Sequence, residues 1–176
     1  RIAQETIDIY APIANRLGLN NVFRELDDLS FEILHPLRHK TIQKAVKASR
    51  GNRKEIVGKI LIEIKQKLLE SKVEAEISGR EKNAASIHRK MIEDHTGFSQ
   101  INDIYAFRII VNNFNECYLT LGSLHSLYKP IPGKIKDYIA FPKANGYQSL
   151  HTTLLGPFGT PVEIQIRTKT MHQLAE

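Results

Sequence analysis

Basic side chains and one aromatic ring are concentrated late in the chain, in the segment 130–153. The basic groups there, with one just upstream, are Lys129, Lys134, Lys136, Lys143 and His151. Lysine ammonium groups suit phosphates, and the ring of Tyr147 can stack on a flat base, which is worth roughly 1–3 kcal/mol per base. These residues favour a phosphorylated ligand with a planar base, although a solvated basic loop with a surface tyrosine explains the spacing equally well.

Turn-forming residues surround this tyrosine. Pro142, Asn145 and Gly146 predict that the segment 143–147 is a tight loop and not part of a strand. The residues that follow, 149–155, are predicted to form a strand. The loop therefore lies at the entrance to that strand.

Two carboxylates lie at or in predicted strands, where they could face such a ligand. Asp103 precedes the apolar run 104–111, which is dense in β-favouring residues and is predicted to be a central strand. Glu163 lies on the polar side of another predicted strand, 162–167, because alternate residues face opposite sides. Carboxylate oxygens suit Mg²⁺, a hard cation. For Asp103 by itself, a turn or capping role explains the position as well as a metal site does.

The apolar patterns predict an α/β fold with helices packed on a mixed sheet of about five strands. The predicted strands are 73–78, which Gly79 ends, 104–111, 134–139, 149–155 and 162–167. A helix is predicted to begin near Ala84, and a covering helix over 115–128 turns Cys117, Leu121 and Leu124 inward. We interpret Cys117 as a packing residue and not a nucleophile.

Helices are also predicted to lead into this sheet. The segment 41–69 predicts one or two basic helices with a break near 49–52. The earlier predicted features are a helix over 2–16 with a kink or restart at Pro12, a stop at Gly18, a cap at Asn20 or Asn21, and a second helix that ends before Pro36.

Length and composition bound the possibilities. The 176 residues suffice for one good-sized domain with a helical appendage. The single cysteine, Cys117, allows no disulfide framework, which favours a reducing cytoplasm. No apolar run approaches the ~20 residues of a membrane span, and no signal-peptide pattern occurs. The net charge of +6 favours anionic partners without distinguishing nucleotide from RNA or lipid. Because Arg1 lies inside an amphipathic pattern, we expect a longer parent protein.

The loop and the last strand carry a family resemblance. The runs GKIKDYIAFPKANGYQSLHTTLLGP (133–157) and PVEIQIRT (161–168) closely resemble the synthetase domain of the RelA/SpoT alarmone enzymes. The run ETIDIYAPIANRLGL (5–19) resembles the end of the family's hydrolase domain. The resemblance implies that residues 1–36 are the hydrolase tail and linker, and that 37–176 are the synthetase domain. The Lys-x-Lys-Asp pattern at 134–137 resembles that of bifunctional, SpoT-like members.

The family resemblance implies a fold and an activity. The fold would be nucleotidyltransferase-like, with N-terminal linking helices. The enzyme would be a GTP diphosphokinase that moves pyrophosphate from ATP to the 3′-hydroxyl of GDP or GTP, giving (p)ppGpp and AMP, with Mg²⁺ as cofactor. No hydrolase activity is expected, because the sequence contains no His-Asp dipeptide.

The resemblance also implies roles for individual residues. Asp103 would hold Mg²⁺, with Glu163 sharing the metal or taking the hydroxyl proton. The residues implied on the ATP side are Arg80 and Arg108 around the adenine, and Lys82, Ser86 and Lys90 at the phosphates. Tyr147 would stack on guanine, and the other residues implied on the GDP or GTP side are Lys134, Lys136, Lys143, Asn145, His151 and Gln165.

Two alternatives belong to other functional classes. Asn83-Ala84-Ala85 departs from the family pattern of histidine, an aliphatic residue and tyrosine, so one alternative is a guanosine-nucleotide-binding regulatory module with little or no catalysis. The other is an RNA-binding domain, which rests on the basic balance alone and is not favoured. The expected partners are ATP, GDP or GTP and the other domains of the parent chain, with no membrane and no DNA.

Overall fold

The computed structural model describes residues 1–81, 83–93, 95–97, 105–159 and 161–175, with side chains except at 49–54, 80, 81, 105 and 158. Helices surround a single sheet in this part of the chain. The helical elements are α1 (Ile2–Glu5), a π-helical turn (Thr6–Tyr10), α2 (Ala11–Arg16), α3 (Asn20–Leu34), α4 (Pro36–Glu70), α5 (Ala84–Glu93), α6 (Phe114–Leu127), a 3₁₀ turn (Pro157–Gly159) and α7 (Lys169–Leu174). No helix among these residues is long and apolar enough to cross a membrane.

The sheet is mixed, as predicted, and has six strands where about five were expected. Its order is β1-β2-β6-β5-β3, with β4 also paired to β5; β2 and β6 run parallel and the other pairs are antiparallel. The strands are β1 (Ala75–Glu81), β2 (Tyr105–Val111), β3 (Lys129–Pro130), β4 (Lys136–Asp137), β5 (Leu150–Leu155) and β6 (Pro161–Thr168).

One face of the sheet forms the main core. The strands contribute buried residues such as Ile109, Ile164 and Ile166, which pack against Ile64 of α4 and Leu124 of α6. All five are 0% exposed, and burying side chains of this size contributes roughly 1.5–3 kcal/mol each. Because strand residues alternate between faces, this core forces the polar residues of β5 and β6 onto the opposite face.

A smaller core joins α3, α4 and α5. It contains Phe31, Ile42, Val46 and Ile87 together with Ala85, which is 5% exposed. The backbone N–H of Ala85 also donates a hydrogen bond to the Asp28 carboxylate at 3.1 Å. The position that departs from the family pattern therefore faces a helix junction. Ala85 therefore has a packing role at this junction.

Three predictions of element boundaries were wrong. The break near 49–52 is absent, because α4 continues through it with its first half in the smaller core and Ile60, Ile64 and Leu68 in the main core. Strand β1 continues past Gly79 to Glu81, since every residue there pairs with β2. The predicted strand 134–139 is reduced to the two residues of β4, so Lys134 is not in a strand.

At the N-terminus, where a kink or a restart was predicted at Pro12, the structure has a π-helical turn that continues into α2 with no new helix start, because Tyr10 and Ala11 both keep helical dihedral angles. Proline lacks the N–H that continues a helix, and here Pro12 stands in the first turn of α2, directly after the π-helical turn. Gly18 ends this segment with φ +78, as predicted. The cap position of α3 is Leu19 and has no side-chain cap, so the prediction of an asparagine cap was wrong.

Candidate functional site

A row of polar residues crosses the face of the sheet opposite the main core. Arg108 of β2 pairs with Gln165 of β6, which pairs with His151 of β5, which pairs with Lys136 of β4. Residues directly opposite one another in paired strands point to the same face. In β6 the predicted alternation is confirmed, with Val162, Ile164 and Ile166 buried in the main core. The row therefore brings together residues predicted for both nucleotides.

The segment 143–147 is the tight loop that the sequence predicted. The N–H of Gly146 donates to the carbonyl of Lys143 at 2.9 Å, and the N–H of Lys143 donates to the carbonyl of Tyr147 at 3.2 Å. The Asn145 side chain accepts the N–H of Tyr147 at 3.2 Å. Gly146 has φ +74, a left-handed conformation that costs other residues about 1–2 kcal/mol. The loop is thereby held in a shape that depends on this glycine.

Aromatic rings and one ammonium group cluster beside the loop. The hydroxyl of Tyr147 lies 2.9 Å from Nε2 of His151, within hydrogen-bond distance. The Lys143 Nζ lies 5.4 Å from the Tyr147 ring centroid and 4.8 Å from that of Tyr138. Both distances are within the range of cation–π attraction. The sequence analysis missed Tyr138, although its position two residues after Lys136 was a signal for it.

Burial decides the charge of His151. Loss of solvation lowers its pKa from 6.5 to about 4; the neighbouring Glu163 opposes the shift, and Lys143, Lys136 and Arg167 add to it. The imidazole is therefore neutral at pH 7. His151 contributes hydrogen bonding and not positive charge, so the count of cations in this segment rests on lysines.

Asp137 of the Lys-x-Lys-Asp pattern is a structural residue in this fold. Its Oδ1 accepts hydrogen bonds from the N–H groups of Ile139 and Ala140 at 2.9 and 2.8 Å, and its Oδ2 accepts the hydroxyl of Tyr118 at 2.9 Å. These bonds tie the turn after β4 to α6. Asp137 thus holds in place the segment that carries Lys136 and Tyr138.

A cavity of about 540 Å³ lies between the loop, the polar face and the N-terminal helices, a size typical of ligand sites. None of its described lining residues is acidic. It is lined by Asn15, Arg16, Asn20, Phe23, Arg24, Arg89, Lys143, Ala144, Asn145, Tyr147, His151 and Gln165. Five residues predicted for the guanosine nucleotide thus line one cavity, whereas Lys134 and Lys136 are exposed outside its lining.

The residues predicted for ATP are only partly described. Ser86 and Lys90 lie one turn apart on α5, as predicted, but do not line this cavity. Arg80 occupies β1 opposite Ala106, two residues before Arg108 in β2. Lys82 and Asp103 lie outside the described residues, and so does the side chain of Arg80.

Asn83 has a structural role at the start of α5. Its Oδ1 accepts the N–H of Ser86 at 3.0 Å, which caps the helix. Its Nδ2 donates to the carbonyl of Arg24 at 3.4 Å. The residue thereby joins α5 to α3.

Glu163 of β6 is a carboxylate on the polar face, next to the row that contains Gln165. It is half-buried, and its Oε1 accepts a hydrogen bond from Gln165 at 3.3 Å. In the parallel pairing, Glu163 lies beside Ala106, and β2 begins two residues after Asp103. Mg²⁺ is usually bound by one or two carboxylates together with substrate phosphates, so the Glu163 carboxylate on a basic face fits that cation. The metal roles of Asp103 and Glu163 stay predictions.

Cys117 is the packing residue that the sequence predicted. It is 0% exposed on α6 and belongs to the main core. Burial, with a smaller effect of Glu116, raises the pKa of its thiol to about 11. The thiol is therefore protonated at pH 7 and inert.

Comparison with known sequences and structures finds close relatives. Residues 79–176 match the region found in RelA / SpoT proteins. Over all 176 residues the chain is 56% identical to the bifunctional (p)ppGpp synthase/hydrolase SpoT of Escherichia coli (strain K12), and covers 25% of that protein. It is 47% identical over 176 residues to a GTP pyrophosphokinase of Myxococcus xanthus. That match covers 100% of this chain and 23% of the relative. The chain thus spans about a quarter of the length of these curated relatives.

A solved structure shares the fold. Small alarmone synthetase 2 from Bacillus subtilis matches with a TM-score of 0.60 and 28% sequence identity. The match covers 72% of this chain and 74% of that one. The mixed sheet with its flanking helices is therefore the fold of an alarmone synthetase.

Proposed function

This chain belongs to the RelA/SpoT family, and from that premise we propose that it transfers pyrophosphate from ATP to the 3′-hydroxyl of GDP or GTP. The products are (p)ppGpp and AMP. The observation that carries this proposal is the cavity that Lys143, Tyr147, His151 and Gln165 line together. It combines a flat ring, a cation and neutral hydrogen-bonding groups, which are the groups that a guanosine nucleotide requires.

The guanosine nucleotide binds at the loop. Tyr147 stacks on guanine, while Asn145, His151 and Gln165 offer uncharged hydrogen-bonding groups. Lys143 leaves the aromatic rings to meet a phosphate, since a phosphate attracts an ammonium group more strongly than a ring face does. Lys134 and Lys136 are exposed nearby and assist from outside the cavity.

ATP binds over β1, β2 and α5. Arg80 and Arg108 hold the adenine between them, and Lys82, Ser86 and Lys90 hold the phosphates. Asp103 and Glu163 are the residues that would hold Mg²⁺, which supplies charge neutralisation at the phosphates when bound. Glu163 either shares the metal or accepts the proton of the 3′-hydroxyl as its oxygen attacks the β-phosphorus in line and AMP leaves. Positioning and charge neutralisation account for most of the rate in such transfers.

A regulatory module that binds guanosine nucleotides without catalysis is the second candidate. It rested on the departure at Asn83-Ala84-Ala85. The capping role of Asn83 and the burial of Ala85 between helices weaken that argument, because each residue has a structural role at the start of α5. The synthetase remains the function that the site supports best.

The experiment incubates the chain with ATP, GDP and Mg²⁺ and measures AMP and ppGpp. The matched control substrate is 3′-deoxy-GDP, which retains the base and phosphates but lacks the attacking oxygen. The proposal expects equal amounts of AMP and ppGpp with GDP and neither product with 3′-deoxy-GDP. AMP release that is independent of the 3′-hydroxyl would contradict it.

A further inference from the structure

One wall of the cavity is built from the N-terminal helices. Asn15 and Arg16 end α2, while Asn20, Phe23 and Arg24 belong to the first half of α3. These residues lie about 120 positions or more before the loop in sequence and outside the matched segment 79–176. The cavity therefore has a second set of lining residues that the sequence analysis did not assign.

Direct contacts hold this wall against the loop. The Asn145 Nδ2 donates a hydrogen bond to the carbonyl of Asn15 at 3.0 Å. Gly18 lies so close that a Cβ added to it would be 3.3 Å from the carbonyl oxygen of Asn145. Arg16 lies between these two contacts in sequence. Its backbone is thus positioned relative to the loop.

Three arginines are among the described residues that line the cavity, and they differ in their partners. Arg89, on α5, forms an ion pair with Asp27, and Arg24 is also engaged in an interaction. Within the described part of the chain, no carboxylate pairs with Arg16 and no carboxylate lines the cavity. A guanidinium of this kind is an available donor for an anion that enters the cavity, and its planar fork matches a phosphate.

We propose that Arg16 binds a phosphate of the guanosine nucleotide in the cavity that it lines together with Tyr147. This inference rests on the proposed function and adds a binding residue from the N-terminal helices to it. The ligand then contacts α2 with its phosphate and the loop with its base. Nucleotide binding consequently strengthens the contact between α2 and the loop, since one ligand touches both.

The test measures the affinities of GDP and of guanosine for four proteins, by calorimetric titration. The proteins are the unaltered chain, Arg16→Gln, Arg16→Lys and the matched control Arg1→Gln, which removes an exposed arginine away from the cavity. Arg16→Gln is expected to weaken GDP about tenfold, as loss of one charge-assisted contact does, and to leave guanosine unchanged. Arg16→Lys retains part of the GDP affinity, and Arg1→Gln retains all of it.

Several outcomes overturn the proposal. Unchanged GDP affinity in Arg16→Gln means that Arg16 does not contact the nucleotide. An equal loss for GDP and guanosine means that the substitution displaced the loop and removed no phosphate contact. If Tyr147→Ala loses GDP while Arg16→Gln does not, the proposed function stands and only the role of Arg16 is wrong. If the unaltered chain does not bind GDP, the proposed function fails and this inference fails with it.

Discussion

The hydroxyl of Tyr147 and the Nε2 of His151 are hydrogen-bonded over 2.9 Å, and this contact ties the loop to strand β5. The imidazole is neutral because its burial opposes protonation. The partner rings meet nearly at right angles, at an interplanar angle of 85°. The edge of His151 thus fixes the tilt of the tyrosine ring that is proposed to receive guanine.

Two substitutions of Tyr147 distinguish the role of its ring from that of its hydroxyl. Tyr147→Ala is expected to cost guanosine-nucleotide binding about 1–3 kcal/mol through loss of stacking. Tyr147→Phe keeps the ring and is expected to retain most of the GDP affinity, at a stability cost of about 0.5–1.5 kcal/mol for the lost hydrogen bond. GDP titration and thermal melting check both. Unchanged GDP affinity with a lowered melting temperature in Tyr147→Ala would make Tyr147 a packing residue.

His151 makes stability depend on pH. In the unfolded chain a histidine titrates near 6.5, whereas in the fold the pKa is about 4, so the unfolded state binds the proton more readily between these values. The pH-dependent contribution of His151 to the free energy of unfolding is fully present above pH 6.5. It is lost as the pH falls toward 4, and amounts to about 3 kcal/mol at most. Urea unfolding at pH 7 and 4.5 should show a smaller pH effect in His151→Gln than in the unaltered chain. Parallel losses in the two proteins would contradict the burial argument.

Gly146 is expected to be required for the loop. Gly146→Ala places a Cβ in open space but at φ +74, so the cost is backbone strain of about 1–2 kcal/mol. We also expect GDP affinity to fall, because the loop relieves this strain by a shift that moves Tyr147. The matched control is Gly122→Ala, also with open space at its Cβ but within α6, where alanine should stabilise by about 1 kcal/mol. Equal stability changes of the two variants would contradict the requirement.

At position 85 the family pattern and the structure predict different effects of a tyrosine. The family pattern, which has tyrosine there, implies that Ala85→Tyr tightens ATP binding. Because Ala85 is buried with Phe31 and Ile42, Ala85→Tyr is instead expected to lower the free energy of unfolding by about 1–3 kcal/mol through overpacking. Ile92→Tyr, at a 56% exposed position on the same helix, is the control and should have little effect. A stable Ala85→Tyr variant with tighter ATP binding would restore the earlier interpretation.

The sequence predicted those features that local patterns determine. The alternation of β6 predicted which side of that strand faces the core and placed Glu163 on the other side. Gly146 and its neighbours predicted the loop. The inward side of α6 was predicted from the spacing of Cys117 and Leu124. Each of these depends on residues within about one turn or strand of each other, where periodicity is informative.

Features set by distant contacts were missed. The unbroken α4 depends on two cores that hold its two halves, so Gly51 does not end the helix despite its low helix propensity. The wall that contains Arg16 depends on the contact between Asn15 and Asn145, which are 130 residues apart. No local pattern in the sequence reports such a contact. The family resemblance supplied the remaining site residues, and their roles stay predictions.

Two carboxylates, Asp103 and Glu163, are proposed to support pyrophosphate transfer in a pocket that binds GDP without them. The most direct measurement is the rate of AMP release from ATP with GDP and Mg²⁺ for the unaltered chain, Asp103→Asn, Glu163→Gln and the double variant, with GDP affinity measured on each. We expect both single variants to lose transfer and retain GDP binding, and the double variant to be little slower than either, since groups that act together are not additive. Near-normal turnover in Glu163→Gln or Asp103→Asn would contradict the role of that carboxylate.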